Sequence, residues 1–246
     1  MNTYPGGTPP HTETNRKLLA VLIPCLAVLV LAVFVGVGAL ARDAMAQEIP
    51  GTALAVGGEN VPGNVLADGA VRIGEPDAEV TVRVVMDLQC PVCQAFEDAN
   101  GQVLADAVRD GTAAVEYQVI SFLDRASTTE YSSRAGNAAF CVANSGLDDY
   151  QTWLSEMYAR QPAEGGDGLP DSALIEIAET TGYTDAAVAD CITGRQYDSY
   201  LRTKTDEALD SGVSGTPTVH VDDREITDSA TLLGKNGLAP VLAAAR

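Results

Sequence analysis

The chain has 246 residues, enough for a membrane-spanning segment, a linker and one domain of ordinary size. It carries 34 acidic and 15 basic side chains, which gives a formal net charge of -19. Because a surface of this charge repels phosphate groups, we expect neither a nucleic acid nor an anionic lipid surface as a partner.

The first 66 residues divide into three segments of different composition. Residues 1–17 are polar and end in Arg16-Lys17, and we expect them to form a disordered cytoplasmic tail. Residues 18–40 contain no charged side chain. As a helix they would be about 35 Å long, which predicts a transmembrane anchor. Residues 41–66 contain three Pro-Gly or Gly-Gly pairs and predict a flexible linker.

The charges beside the apolar segment predict its orientation in the membrane. Arg16 and Lys17 precede the segment, and basic residues of this kind stay on the cytoplasmic side. The following domain is therefore expected outside the cytoplasm, held at the cell membrane by a single pass. A small-x-small site at Ala44-Met45-Ala46 leaves a cleaved signal sequence as the alternative, although the apolar run exceeds the usual length of a signal core.

From about residue 67 the hydrophobic pattern predicts alternating strands and helices. The predicted strands are 70–73, 80–86, 113–122, 216–221 and 224–227. The predicted helices are 91–109, 131–144, 149–160, 171–181, 184–192, 197–210 and 228–245. Strand 80–86 is apolar on both faces, which is typical of a buried central strand. An interruption of helix 91–109 is predicted at Asn100-Gly101, because glycine weakens helices. The order of elements predicts an α/β fold with a helical block at about 129–212.

Two cysteines follow strand 80–86 directly, in the sequence Cys90-Pro91-Val92-Cys93. A Cys-x-x-Cys at the start of a helix places the first sulfur exposed at the helix N-terminus and the second one turn deeper. Pro91 suits the first helical position, and the helix dipole favours a Cys90 thiolate. Cys90 is therefore predicted to attack disulfides and Cys93 to resolve the product, without a metal or a cofactor.

A second motif, Gly215-Thr216-Pro217-Thr218, starts a strand with proline, which requires an edge, a bulge or a cis bond. Together with Asp87-Leu88-Gln89-Cys90-Pro91-Val92-Cys93, it resembles the DsbA-type thioredoxin-like disulfide oxidoreductases over about residues 67–246. The resemblance implies a thioredoxin fold with an inserted helical subdomain. It also implies that Cys90 attacks, that Cys93 resolves, and that Pro217 is a cis-proline facing both. The backbone of Thr216 would align an extended substrate.

The sequence departs from that family at two positions. Strongly oxidising members have Pro-His where this chain has Pro91-Val92, so we expect a weaker thiol acid and a less oxidising disulfide. The acid commonly found six residues before the first cysteine is replaced by Val84. Asp87 is the remaining candidate acid, with either a role in proton transfer or a structural role as a hydrogen-bond acceptor.

Cys141 and Cys191 lie in two predicted helices of the helical block. Outside the cytoplasm such cysteines form disulfides, and some DsbA-like proteins have a second disulfide in this block. The alternative is a pair of buried free thiols. A zinc site built from four cysteines is disfavoured, because zinc ribbons usually have two Cys-x-x-Cys pairs and this chain has one.

These features predict an extracytoplasmic enzyme, a thiol–disulfide oxidoreductase that introduces disulfides into unfolded or reduced exported proteins. The resemblance implies a membrane quinone-linked partner that reoxidises the Cys90–Cys93 pair. An isomerase or reductase of the same fold is one alternative, because residue 92 is not histidine. A redox-inert module that binds peptides in the groove beside Pro217 is the other.

Overall fold

The computed structural model of the chain describes residues 60–246. The predicted tail, the predicted transmembrane anchor and most of the predicted linker lie outside the described residues. No helix within residues 60–246 combines the length and the apolar character that a membrane span requires.

A five-stranded mixed sheet forms the centre of the described residues. Its strands are β1 (Val71–Ile73), β2 (Val80–Met86), β3 (Ala113–Val119), β4 (Thr218–Val221) and β5 (Arg224–Glu225). In space they follow the order β1-β3-β2-β4-β5, with β2 parallel to β3 and antiparallel to β4. The predicted central strand is therefore β2, and its residues Val80, Val82 and Val84 are fully buried. The prediction that both faces are apolar is wrong, because the other face carries the half-buried Thr81 and Arg83, and Arg83 pairs with Glu116 of β3.

Helices cover this sheet, and five of them form a block of their own between β3 and β4. The helices are α1 (Pro91–Arg109), α2 (Tyr131–Ser145), α3 (Tyr150–Ala159), α4 (Asp171–Thr180), α5 (Ala186–Gly194), α6 (Asp198–Asp210), α7 (Ser229–Leu233) and α8 (Ala239–Ala244). The inserted block consists of α2 to α6. The predicted α/β fold with an inserted helical subdomain is therefore confirmed for the described residues.

The C-terminal region differs from the prediction of one helix over 228–245. It forms two short helices, α7 and α8, with a break between them. Asn100 on α1 holds this break: its amide donates to the carbonyl of Leu232 at 2.8 Å, and its carbonyl oxygen accepts the N–H of Leu238 at 2.9 Å. A side chain from another helix thus satisfies backbone groups that a continuous helix would pair internally.

Helix α1 is continuous from Pro91 to Arg109, so the interruption predicted at Asn100-Gly101 is wrong. Asn100 is fully buried, and its hydrogen bonds to the C-terminal region depend on its place in the helix. These tertiary contacts outweigh the cost of about 1 kcal/mol that a glycine imposes on a helix interior.

Aromatic side chains join the helical block to the sheet. Trp153, Tyr150 and Tyr158 of α3 are fully buried. The ring of Tyr150 lies 5.6 Å from that of Trp153 and 6.0 Å from that of Tyr117 on β3, measured between centroids. Such aromatic contacts add to the stabilisation that burial provides. They fix α3 against the sheet beside the start of α1.

A disulfide joins Cys141 on α2 to Cys191 on α5, which are 50 residues apart in the sequence. Their α-carbons lie 5.8 Å apart, and both residues are buried. The closed loop contains α3 and α4, so the bond restricts most of the helical block in the unfolded chain.

Replacing Cys141 and Cys191 together by alanine is expected to lower the free energy of unfolding by about 4 kcal/mol, because the unfolded chain regains the entropy of an open loop. Guanidinium unfolding of the full chain measures this change. Wild-type protein in which this disulfide has been reduced serves as the control and should unfold near the midpoint of the variant. Equal midpoints for the variant and the oxidised wild type would contradict the expectation.

Candidate active site

The two cysteines of the Cys-x-x-Cys motif lie where β2 passes into α1. Cys90 is the N-cap residue of α1 and has extended backbone angles, and Pro91 is the first helical residue. The N–H of Cys90 donates to the carbonyl of Asp87 at 3.0 Å, which stabilises the turn between strand and helix. Cys90 and Cys93 are both free thiols. Their position at a helix N-terminus favours negative charge on sulfur.

Cys90 is less exposed than the sequence predicts. Only 6% of its surface is exposed, and Cys93 is fully buried. The loop that contains Thr216 and Pro217 lies against Cys90, whose Sγ is 3.3 Å from the Thr216 carbonyl oxygen. The Thr216–Pro217 peptide bond is cis. Thr216 is 126 residues from Cys90 in the sequence. The local pattern that predicts an exposed helix terminus therefore cannot show that this loop covers Cys90.

The two thiols have opposite electrostatic environments. The pKa of Cys90 is lowered to about 6, and the largest cause is a hydrogen bond from the Cys93 thiol. Burial opposes this decrease, and weaker hydrogen bonds from Thr216 and from backbone N–H groups add to it. Burial, together with the hydrogen bond and the charge of Cys90, raises the pKa of Cys93 well above its ordinary value. At neutral pH Cys90 is therefore a thiolate and Cys93 keeps its proton. The sequence predicts that the helix N-terminus and its backbone N–H groups lower this pKa, and the hydrogen bond from Cys93 is the larger contributor.

Asp87 is fully buried beneath the cysteine-containing turn. Its carboxylate accepts the N–H groups of Gln89 and Leu123, both at 2.8 Å, and the hydroxyl of Ser132 at 2.7 Å. Burial raises the pKa of Asp87 to about 6, and these hydrogen bonds oppose the increase. The three donors give Asp87 a structural role as an acceptor, and its role in proton transfer stays a prediction.

Two side chains of the helical block also hold the active-site turn. The amide of Gln161 donates to the carbonyls of Leu88 and Cys90 at 3.0 and 3.1 Å. The hydroxyl of Tyr158 donates to the carbonyl of Asp87 at 3.2 Å. Neither contact is predictable from the sequence, because Gln161 begins a segment rich in glycine and proline and Tyr158 lies on a helix that carries other aromatic residues. No local signal identifies either partner.

The chemistry available at this site is that of the two free thiols. Within residues 60–246, no three His, Cys, Asp or Glu side chains are grouped closely enough to hold a metal ion. Cys141 and Cys191 are bonded to each other. Cys90 can attack a disulfide, hold a partner in a mixed disulfide, and release it when Cys93 closes the pair.

Comparisons with known proteins agree with this geometry. A family model described as thioredoxin matches residues 67–234. The chain is 31% identical to DsbA of Mycobacterium tuberculosis, with a TM-score of 0.59 over 72% of this chain and 99% of that one. For DsbG, a disulfide bond oxidoreductase of the same organism, the identity is 29% and the TM-score 0.60, over 71% of this chain and 92% of that one. MdbA, a thiol–disulfide oxidoreductase of Actinomyces oris, shares the fold at 15% identity and a TM-score of 0.64, over 78% of this chain and 96% of that one.

A curated relative, the serine/threonine-protein kinase PknE of M. tuberculosis, is 32% identical over 166 residues, which is 63% of this chain. The chain spans 29% of the length of that kinase, so the activity in its name is not carried over to this chain. The comparisons confirm the predicted DsbA-type resemblance and the predicted class of enzyme, an oxidoreductase.

In the reduced full chain, we expect the thiolate absorbance at about 240 nm to rise with a midpoint near pH 6, because Cys90 ionises there. The Cys93→Ala variant loses the hydrogen bond that stabilises this thiolate, so its midpoint should lie at higher pH. Subtracting the curve of a Cys90→Ser variant removes the contribution of other groups. A midpoint that Cys93→Ala leaves unchanged would disprove the assignment of this hydrogen bond.

Proposed function

This chain belongs to the thioredoxin family, in its DsbA type, and we propose that it introduces disulfides into reduced, unfolded proteins outside the cytoplasm. The observation that carries the proposal is the difference between its two thiols: a pKa of about 6 at Cys90 and a raised pKa at Cys93. A stable Cys90 thiolate stabilises the dithiol form of the enzyme. Because the reduced form is stabilised, the Cys90–Cys93 disulfide is a strong acceptor of electrons.

The first step is attack of a substrate thiolate on the Cys90 sulfur of the oxidised enzyme. The Cys90–Cys93 bond breaks, a bond forms between Cys90 and the substrate sulfur, and Cys93 leaves as a thiolate that takes up a proton. Attack is directed to Cys90 because Cys93 is fully buried. The raised pKa of Cys93 then keeps it protonated, so that it does not reverse the step.

The second step releases the product. A second substrate thiolate attacks the substrate sulfur of the mixed disulfide, and Cys90 leaves as a thiolate. Two electrons have then passed from the substrate to the enzyme, and the substrate holds one new disulfide. The low pKa of Cys90 makes it a good leaving group in this step.

The surface around Cys90 suits an unfolded polypeptide. Val92 is 46% exposed, and Thr216 and Pro217 are half-buried beside the sulfur. In our proposal, an extended substrate pairs with the backbone of Thr216 and packs apolar side chains on Val92. Backbone pairing of this kind binds many sequences, because it does not depend on side chains.

We further propose that residues 18–40 anchor the domain to the cell membrane, with the active site on the extracytoplasmic side. The support is the run of residues without charge and the preceding Arg16-Lys17. A membrane quinone-linked partner would accept the two electrons from Cys90 and Cys93 and restore the disulfide. Anchoring would keep the enzyme and such a partner in the same bilayer.

The oxidised full chain is expected to oxidise a reduced, unfolded model protein, because a substrate thiolate can reduce the Cys90–Cys93 disulfide. A free-thiol assay follows the reaction. Cys90→Ser should abolish it. In a separate reaction, the Cys90 thiolate of Cys93→Ala should attack a model protein that already contains a disulfide, one sulfur of that disulfide leaves as a thiol, and the mixed disulfide through Cys90 should accumulate on a non-reducing gel. A redox-inert binding module would give equal thiol counts for the wild type and Cys90→Ser and no trapped species, which would sink the proposal.

The direction of the reaction follows from the reduction potential, which equilibration with glutathione measures. We expect a value between that of thioredoxin, about -270 mV, and that of DsbA, about -120 mV, because the Cys90 pKa of about 6 lies between the thiol pKa values of those two proteins. Val92→His should lower the pKa of Cys90 further and make the pair more oxidising, at about 30 mV for each ten-fold change in the equilibrium constant. Val92→Asn is the neutral control. A wild-type potential near that of thioredoxin would favour the reductase alternative.

A further inference from the structure

A cleft of about 740 Å³ lies between α1, α3 and α4, along the middle of α1. Its size is in the range of small-molecule sites. The residues that line it are mostly polar, and four of them are acidic: Glu97, Asp148, Glu156 and Glu176. The redox mechanism described above uses none of these residues.

Glu97, on α1, is the buried acid of this cleft. Only 9% of its surface is exposed, and its Oε2 atom has no hydrogen-bond partner among the described residues. Buried carboxyl groups are normally paired or hydrogen-bonded, because removing a carboxylate from water is costly. Burial raises the pKa of Glu97 to about 7, with a smaller contribution from the charge of Asp98. An unpartnered acid that lines a cleft can take a partner from outside the chain.

Gly101 provides the space that the Glu97 carboxyl group occupies. A Cβ atom at position 101 would overlap Oε1 and Cδ of Glu97, and both residues line the cleft. Glycine in a helix interior costs about 1 kcal/mol relative to alanine. The helix thus carries a destabilising residue at the position that lets the carboxyl group lie along α1.

The charge of the cleft is unbalanced. Among the described residues that line it, Arg160 has the only positive charge, and it is paired with Glu176 at 3.1 Å. The carboxylates of Asp148 and Glu156 therefore add to the negative potential around Glu97. Such a potential favours a positively charged ligand.

The carboxyl group of Glu97 is directed away from the thiols. Glu97 lies one helical turn beyond Cys93, and its carboxyl group lies against Gly101, a further turn along α1. This position disfavours a part in proton transfer at Cys93. It places the carboxyl group where a ligand in the cleft can reach it.

We propose that this cleft binds an organic cation, a primary ammonium or guanidinium group, with Glu97 as its counter-ion. The ammonium or guanidinium pairs with the carboxyl group of Glu97, and the carboxylates of Asp148 and Glu156 add attraction at longer range. One such ligand accounts for three features of the cleft: the unpartnered carboxyl group of Glu97, the glycine at position 101 and the unbalanced charge.

Two sources can supply such a cation: a lysine or arginine side chain of a bound polypeptide, or a free amine. From Cys90 to Gly101, against which the Glu97 carboxyl group lies, the helix rises about 16 Å, which an extended polypeptide of about three residues and a lysine side chain span together. Gln161, which donates to the Cys90 carbonyl, directly follows Arg160 at the edge of the cleft. A basic side chain about three residues from a substrate cysteine therefore fits the first source.

Isothermal titration calorimetry of the reduced full chain at about pH 8, where Glu97 is ionised, tests the site with N-acetyl-lysinamide as the probe. We expect saturable binding of this probe and none of N-acetyl-norleucinamide, which has the same shape without the charge. Glu97→Gln should raise the dissociation constant about ten-fold or more. Gly101→Ala, which keeps the charge but fills the space of the carboxyl group, should also weaken binding.

Asp98→Asn is the matched control, because it removes an exposed carboxylate next to Glu97 but outside the cleft. It should change the dissociation constant less than about two-fold. Equal losses for Asp98→Asn and Glu97→Gln would overturn the proposal, since they would indicate attraction by the overall negative charge. The proposal would also be overturned if N-acetyl-lysinamide shows no saturable binding to the wild-type chain while the thermal unfolding curve of that chain is normal.

A second experiment identifies the source of the cation and rests on the proposed function, whereas the calorimetry does not. Two peptides, each with one cysteine and with lysine or norleucine three residues later, are compared by their rate of attack on the oxidised Cys90–Cys93 pair. If the lysine peptide reacts faster than the norleucine peptide, and Glu97→Gln abolishes this difference in rate, the cation belongs to the substrate. Equal rates, with binding of N-acetyl-lysinamide intact, assign it to a free amine; both results support the site.

Discussion

The carboxylate of Asp87 holds together the chain segments that form the active site. It accepts hydrogen bonds from the turn before α1, through Gln89, from the segment after β3, through Leu123, and from α2, through Ser132. A buried carboxylate is stable only when its oxygens have donors, so these segments are held at fixed positions around it. The place of Cys90 at the start of α1, and with it the low pKa of its thiol, depends on this arrangement.

Most of the fold could be predicted because the relevant signals are local. Strand β2 has a run of β-branched residues with Val80, Val82 and Val84 on its buried face. The helices of the inserted block have amphipathic patterns and recognisable ends. The final helix was predicted wrongly because the break between α7 and α8 is held by Asn100, more than one hundred residues earlier. The same side chain explains why α1 continues through Gly101. Hydrogen bonds between distant segments leave no periodic pattern in the sequence.

Part of the active site could be predicted, because short sequence motifs identify its reactive residues. Cys90, Cys93 and Pro217 stand out by residue type and spacing. The cover over Cys90 and the hydrogen bonds from Gln161 could not be predicted, because each depends on a loop whose position is set by tertiary packing. Glu97 gave no signal either, since an acidic residue on a predicted helix is normally exposed to solvent.

The disulfide between Cys141 and Cys191 has a consequence for the biogenesis of the protein. A newly made chain contains both sulfurs as thiols, and its helical block reaches full stability only after they are oxidised. The precursor of this enzyme is therefore a reduced polypeptide of lower stability, and reduced polypeptides are the class of molecule on which we propose that the mature enzyme acts. Under that proposal, the first copies need an oxidant already present, and later copies are substrates of earlier ones.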